Sequence, residues 1–168
     1  MKNIALSICM LLCCACSKEA SDPPALRISD LSIGLMREVS QGEWRIYSPG
    51  DTFPLVPNGP CVVAEKAQNC MWYGFEFDYA SNSAGQVLLC EAKFNKPTDM
   101  VNASRVESSD AADAKFEIEL PRKEGHYSQS AYVFRNPDDA PTPWSADVSC
   151  NHNGKELIRF TFTALYVA

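Results

Sequence analysis

Cysteine and histidine are the residues of this chain best equipped for chemistry, and their placement favours cross-links over catalysis. Of eight cysteines in 168 residues, Cys9, Cys13, Cys14 and Cys16 crowd the N-terminus, while Cys61, Cys70, Cys90 and Cys150 are spread through the rest. Only two histidines occur, His126 and His152, and both fall in predicted turns. A zinc site needs three or four His, Cys or carboxylate ligands, and no paired-ligand spacing supplies them, so no metal is expected. Asp138-Asp139, bracketed by Pro137 and Pro141, offers oxygens to a partner but lacks the alternating ligands of a calcium loop. A solvated turn is the plainer reading of that pair. There is no nucleophile elbow, no Ser-x-x-Lys and no Gly-rich phosphate loop, and no carboxylate stands out as a general acid. Neither enzymatic activity nor a cofactor is expected.

The first residues read as an address. Met1-Lys2-Asn3 gives a short positive start, and residues 4–14 are uncharged and mostly apolar. That run suits the centre of a secretory signal and is far short of the roughly 20 residues of a membrane-spanning helix. The segment Cys13-Cys14-Ala15-Cys16 resembles a bacterial lipoprotein signal, although Cys13 stands where that pattern has Leu. The resemblance implies that Cys16 is lipidated and becomes the mature N-terminus. An ordinary signal cut after Ser17 and an uncleaved N-terminal anchor are the alternatives, and all three place the domain outside the cytoplasm. The expected organisation is a signal over 1–15, a flexible tether over 16–25 and one domain over 26–168. The implied location is the periplasm, on the outer membrane.

From Cys16 onward the chain has 153 residues, with 14 basic against 21 acidic side chains and a net charge of −7. One domain with a proper core fits that length. A cationic stripe able to neutralise phosphates is missing, so nucleic-acid binding is not expected. With the signal removed and Cys16 acylated, four cysteines remain, which in an oxidising compartment read as two disulfides with three connectivities open.

Period-two alternation between turn clusters supplies the secondary structure. Over 71–79, Met71, Tyr73, Phe75, Phe77 and Tyr79 share one strand face, and Trp72, Gly74, Glu76 and Asp78 share the other. Strands over 86–94 and 115–120 follow the same logic. Leu26-Arg27-Ile28 and Leu31-Ser32-Ile33 alternate out of phase, which predicts a bulge near Ser29-Asp30. Thr98 or Asp99 opens a short helix through about Val106, and 108–113 reads as an acidic loop. Near the C-terminus a three-residue loop, His152-Asn153-Gly154, would pair Val148 with Ile158, Ala146 with Phe160 and Trp144 with Phe162. Cys90 and Cys150 then both point inward. The expected pairing is Cys61–Cys70 as a local clasp and Cys90–Cys150 as a long link across the core.

Many short strands with almost no helix predict an all-β fold, a disulfide-stabilised antiparallel β-sandwich, with a small barrel as the alternative. The stretch Phe116-Glu117-Ile118-Glu119-Leu120-Pro121 with Gly125-His126-Tyr127 resembles the corner between strands E and F of immunoglobulin-like and fibronectin-type domains. That resemblance would give Tyr127 the corner-tying hydroxyl. Trp44, Trp72 and Tyr47 are candidates for outer-face interface anchors, packing under loops or across a sheet being the other use of such side chains. In size, address and charge the chain resembles immunity lipoproteins associated with type VI secretion. That likeness implies a non-catalytic protein that binds a basic toxin or lytic enzyme in the envelope. An assembly accessory of the envelope, or a small-ligand carrier, are the competing expectations.

Overall fold

A computed structural model of the chain describes residues 26–63, 65–96, 106–109, 112–134 and 142–166. Among them are eleven strands and no helix. In chain order these are β1 (Arg27–Ser40), β2 (Glu43–Pro49), β3 (Thr52–Pro54), β4 (Gly59–Val63), β5 (Lys66–Ala80) and β6 (Gln86–Phe94). They continue with β7 (Val106–Ser109), β8 (Asp113–Leu120), β9 (Glu124–Val133), β10 (Trp144–His152) and β11 (Lys155–Leu165). One sheet runs β2-β1-β5-β4 with β9 also paired to β5; the other runs β3-β11-β10-β6-β8-β7. Every pairing is antiparallel except that of β3 with β11. The neighbour order β1-β5-β9 against β11-β10-β6-β8 is that of strands A-B-E and G-F-C-C′ in immunoglobulin-like sandwiches.

The main core lies between the sheets. The odd-numbered aromatics of β5 are all 7% exposed or less and meet Leu88, Ile118, Ile158 and Phe162 from the other sheet. Tyr73 stacks on Phe162 at 4.5 Å between centroids, and Trp144 meets Tyr73 edge-on at 5.1 Å. Burial pushes the Tyr73 hydroxyl well above its ordinary titration range. The bulge near Ser29-Asp30 is present: the β1–β5 register shifts between Ser29 and Ser32, and Asp30 adopts a φ of 52°.

Four expectations need correction. First, the β10–β11 loop has two residues, Asn153-Gly154, both with positive φ (50° and 78°), as a tight primed turn requires. Val148 faces Phe160 and Ala146 faces Phe162, two residues beyond the expected partners. A register shift beyond Cys150, which pairs with Ile158 while Asn151 pairs with Glu156, restores apolar-to-apolar pairing without a longer loop. Second, Cys90 and Cys150 are joined as expected, but they face each other on neighbouring strands of one sheet, 4.1 Å apart at Cα. The bond staples β6 to β10 and does not cross the core. Third, Val106–Ser109 forms a strand against β8, so the helix does not extend to Val106 and the acidic loop does not begin at Ser108. Backbone pairing with the neighbouring strand outweighs the weak local propensity of that stretch; the remainder of the expected helix lies outside the described residues. Fourth, the β8–β9 connection occupies the C′-to-E position in the strand order, not the E–F corner. Tyr127 donates its hydroxyl to Gln129 Oε1 at 2.7 Å.

Candidate functional site

The candidate surface is the outer face of β5, where a hairpin folds over the sheet. β1 pairs with β5 only as far as Leu35 opposite Tyr73, then continues with β2 alone. Glycine permits the crossing: a Cβ at Gly34 would overlap Ser48 O, and one at Gly74 would overlap Met36 Sδ and Gln129 O. Met36, 1% exposed, fills the space over Gly74.

Where β1 leaves β5, Asn58 takes its place. Its Oδ1 accepts from Trp72 N at 2.6 Å and its Nδ2 donates to Trp72 O at 3.0 Å, so a side chain completes the ladder. A second apolar cluster forms on this outer face. Trp44 stacks on Trp72 at 4.1 Å, Tyr132 meets Trp72 edge-on at 4.9 Å, and the Cys61–Cys70 disulfide packs with them. Trp72 donates its indole N–H to Pro60 O at 2.9 Å. Trp72 is buried and Trp44 half-buried, so this pair holds the hairpin down rather than standing out as anchors. Tyr47 is 44% exposed, with Arg37 over its ring.

Beside this cluster a cleft of about 460 Å³ opens between the hairpin and β9, lined by Ser40, Gln41, Gly42, Glu43, Arg45, His126 and Ser128. His126 Nδ1 lies 2.8 Å from Asp78 Oδ1, and its Nε2 lies 2.7 Å from Arg45 Nη1 and 3.6 Å from Glu76 Oε2. Arginine only donates, so Nε2 is the acceptor and the ring is the tautomer carrying its proton on Nδ1, given to Asp78. Arg45 Nε reaches Glu43 Oε1 at 3.3 Å, Ser40 Oγ donates to Glu43 Oε2 at 3.0 Å, and Ile46 N–H donates to Glu76 Oε2 at 3.4 Å. The Ser40 hydroxyl, then Arg45, hold the Glu43 carboxyl below its ordinary range.

An Asp–His pair also orients the base of acyl-transfer enzymes, but there Nε2 must reach a nucleophile. Here Nε2 faces a guanidinium. The arrangement presents fixed charge: three carboxylates (Glu43, Glu76 and Asp78) surround one guanidinium and one neutral ring. Of the residues singled out from sequence, His126 lies in this cleft and His152 does not. His152 sits in the other sheet, its Nδ1 3.0 Å from Val87 O and its Nε2 3.1 Å from Asn153 Nδ2, which fixes the tight turn. Asp138, Asp139 and Cys16 lie outside the described residues. The outer parity of Glu76 and Asp78 was readable from β5 alone. Arg45 and His126 are 81 positions apart, and no local signal joins them. No family model matches the chain, and no curated protein matches it in sequence.

Proposed function

We propose that the mature chain is a lipid-anchored, non-catalytic protein of the cell envelope that binds a basic protein partner through the cleft between the β1–β2 hairpin and β9. In its specific form it is an immunity or inhibitor protein against a toxin or lytic enzyme acting in the periplasm. The observation that carries this reading is the interlocked, exposed set Glu43–Arg45–His126–Asp78. Its side chains already hold one another in place, so binding orders little, and low ordering cost is what turns contact into affinity. In the interlocked set two carboxylates, Glu43 and Asp78, accompany one guanidinium, in keeping with the chain's net charge of −6, and acidic complementarity steers a basic partner. Two disulfides suit an oxidising compartment and a rigid recognition scaffold.

The test is surface plasmon resonance against the product of a toxin-like gene, should one neighbour the gene of this chain. The reading expects nanomolar binding that Glu43→Lys weakens at least tenfold and that added salt slows in its association phase. Undiminished affinity for the Glu43→Lys variant would place the interface elsewhere, and no binding at all would remove the immunity reading.

A further inference from the structure

Strand register lays two rows of side chains across the sheet face beside the hairpin. Ser29, Asp78 and His126 stand in one row, and Ser32, Glu76 and Ser128 in the next. His126 is thereby opposite Asp78 and diagonal to Glu76, both on β5, while the β1–β2 hairpin brings Arg45 against the ring. The ring is held at both nitrogens. Nδ1 gives its proton to Asp78 at 2.8 Å, and Nε2 accepts from Arg45 Nη1 at 2.7 Å. Only a neutral ring can do this, because imidazolium donates at both nitrogens and accepts at neither. The contact between hairpin and β9 therefore exists in one protonation state. A second acceptor stands beside it: Glu76 Oε2 lies 3.6 Å from Nε2 and 4.0 Å from Arg45 Nη1. The other charged groups about the ring are Glu43 beside Arg45 on β2, Glu124 in the adjoining row of β9, and Arg27 and Asp30 on β1 near Ser29. Carboxylates outnumber guanidiniums in that set, so of the side chains bonded to the ring only Arg45 opposes a charge on it.

We infer that proton uptake at His126 Nε2 releases Arg45 and unlatches the tip of the β1–β2 hairpin from β9. The Nδ1–H stays on Asp78. The new Nε2–H turns to Glu76, and two like charges at hydrogen-bond distance separate. Met36 over Gly74 and Trp44 over Trp72 are untouched by the proton, so the hairpin keeps its apolar seat and only its charged side moves. The latch rests on the cleft geometry and needs no partner, and it goes beyond the binding reading by making the fixed charge set a property of the neutral ring. In acid the cleft gains a positive ring and a freed guanidinium, the wrong sign for a basic partner.

The test is NMR titration of the isotope-labelled mature chain. Imidazole nitrogen shifts should show His126 with its proton on Nδ1 and a bare Nε2 at neutral pH. On acidification, the second protonation of His126 and the movement of the Arg45 Nε–H and of the amides of residues 43–46 should share one midpoint. His126→Gln should abolish that midpoint in the hairpin signals, whereas His152→Gln, which removes the other histidine, should keep it. Ser40→Ala, which acts on Glu43, should keep it too. Asp78→Ala frees the ring to carry its proton on Nε2 and should loosen Arg45 already at neutral pH. A proton on Nε2 of the parent at neutral pH, hairpin signals that ignore the His126 titration, or a midpoint that survives in His126→Gln would each overturn the latch. None of these outcomes bears on whether the cleft binds a protein.

Discussion

The hydrogen bond from Ser40 to Glu43 fixes how the cleft responds to acid. Glu43 lies below its ordinary value of 4.5, first because Ser40 donates to it and then because Arg45 does. A carboxyl depressed in the folded state binds fewer protons folded than unfolded, so its contribution is present above 4.5 and is lost as pH falls through the lower folded value. The hairpin tip should therefore loosen only in acid. Carboxyl NMR titration of Glu43 should give a midpoint below 4.5 that moves upward in Ser40→Ala; a midpoint indifferent to that change would assign the effect to Arg45 instead. The group is fully exposed, so global stability should hardly register the substitution.

Among the elements, the β1–β2 hairpin has the least ordinary placement, because it covers a sheet face that most sandwiches leave to solvent. Its seat is a position without a side chain, Gly74, flanked by Met36 Sδ and Gln129 O. Gly74→Ala must displace either the hairpin or β9, and overpacking of this kind costs about 1–3 kcal/mol. Urea unfolding should record that loss, together with faster amide exchange in β2. Stability equal to the parent would mean that the hairpin is not clamped through this contact. The second aromatic cluster belongs to the same element: Trp44 over Trp72 adds an apolar hold on the crossing to that of Met36 over Gly74.

For the whole molecule, the two disulfides constrain very different lengths of chain. Cys90–Cys150 spans 60 residues and Cys61–Cys70 spans 9. In the chain-entropy model the long link stabilises by about 4 kcal/mol and the short one by about 2.5 kcal/mol. Paired Cys→Ala variants compared by urea denaturation should show the larger loss for Cys90/Cys150. The reverse order would indicate that the outer-face cluster around Cys61–Cys70, not loop closure, sets the contribution.

Much of this was legible in the residues. Period-two alternation located β5, β6 and β8, the phase break in the first strand gave the bulge at Asp30, inward parity paired Cys90 with Cys150, and closeness in sequence paired Cys61 with Cys70. Those features depend on neighbours within one strand or on which face a side chain takes, and local pattern records both. The tertiary structure alone decided that Cys90 and Cys150 are neighbours within a sheet, that the last hairpin uses a two-residue turn with a register shift, and that Val106–Ser109 is a strand. It also decided the cleft. Arg45, Asp78 and His126 come from three strands, and a hairpin folding over two glycines brings them within hydrogen-bonding distance. Backbone pairing between distant strands and the close approach that a missing Cβ allows are long-range effects, so they leave no periodic trace in the chain.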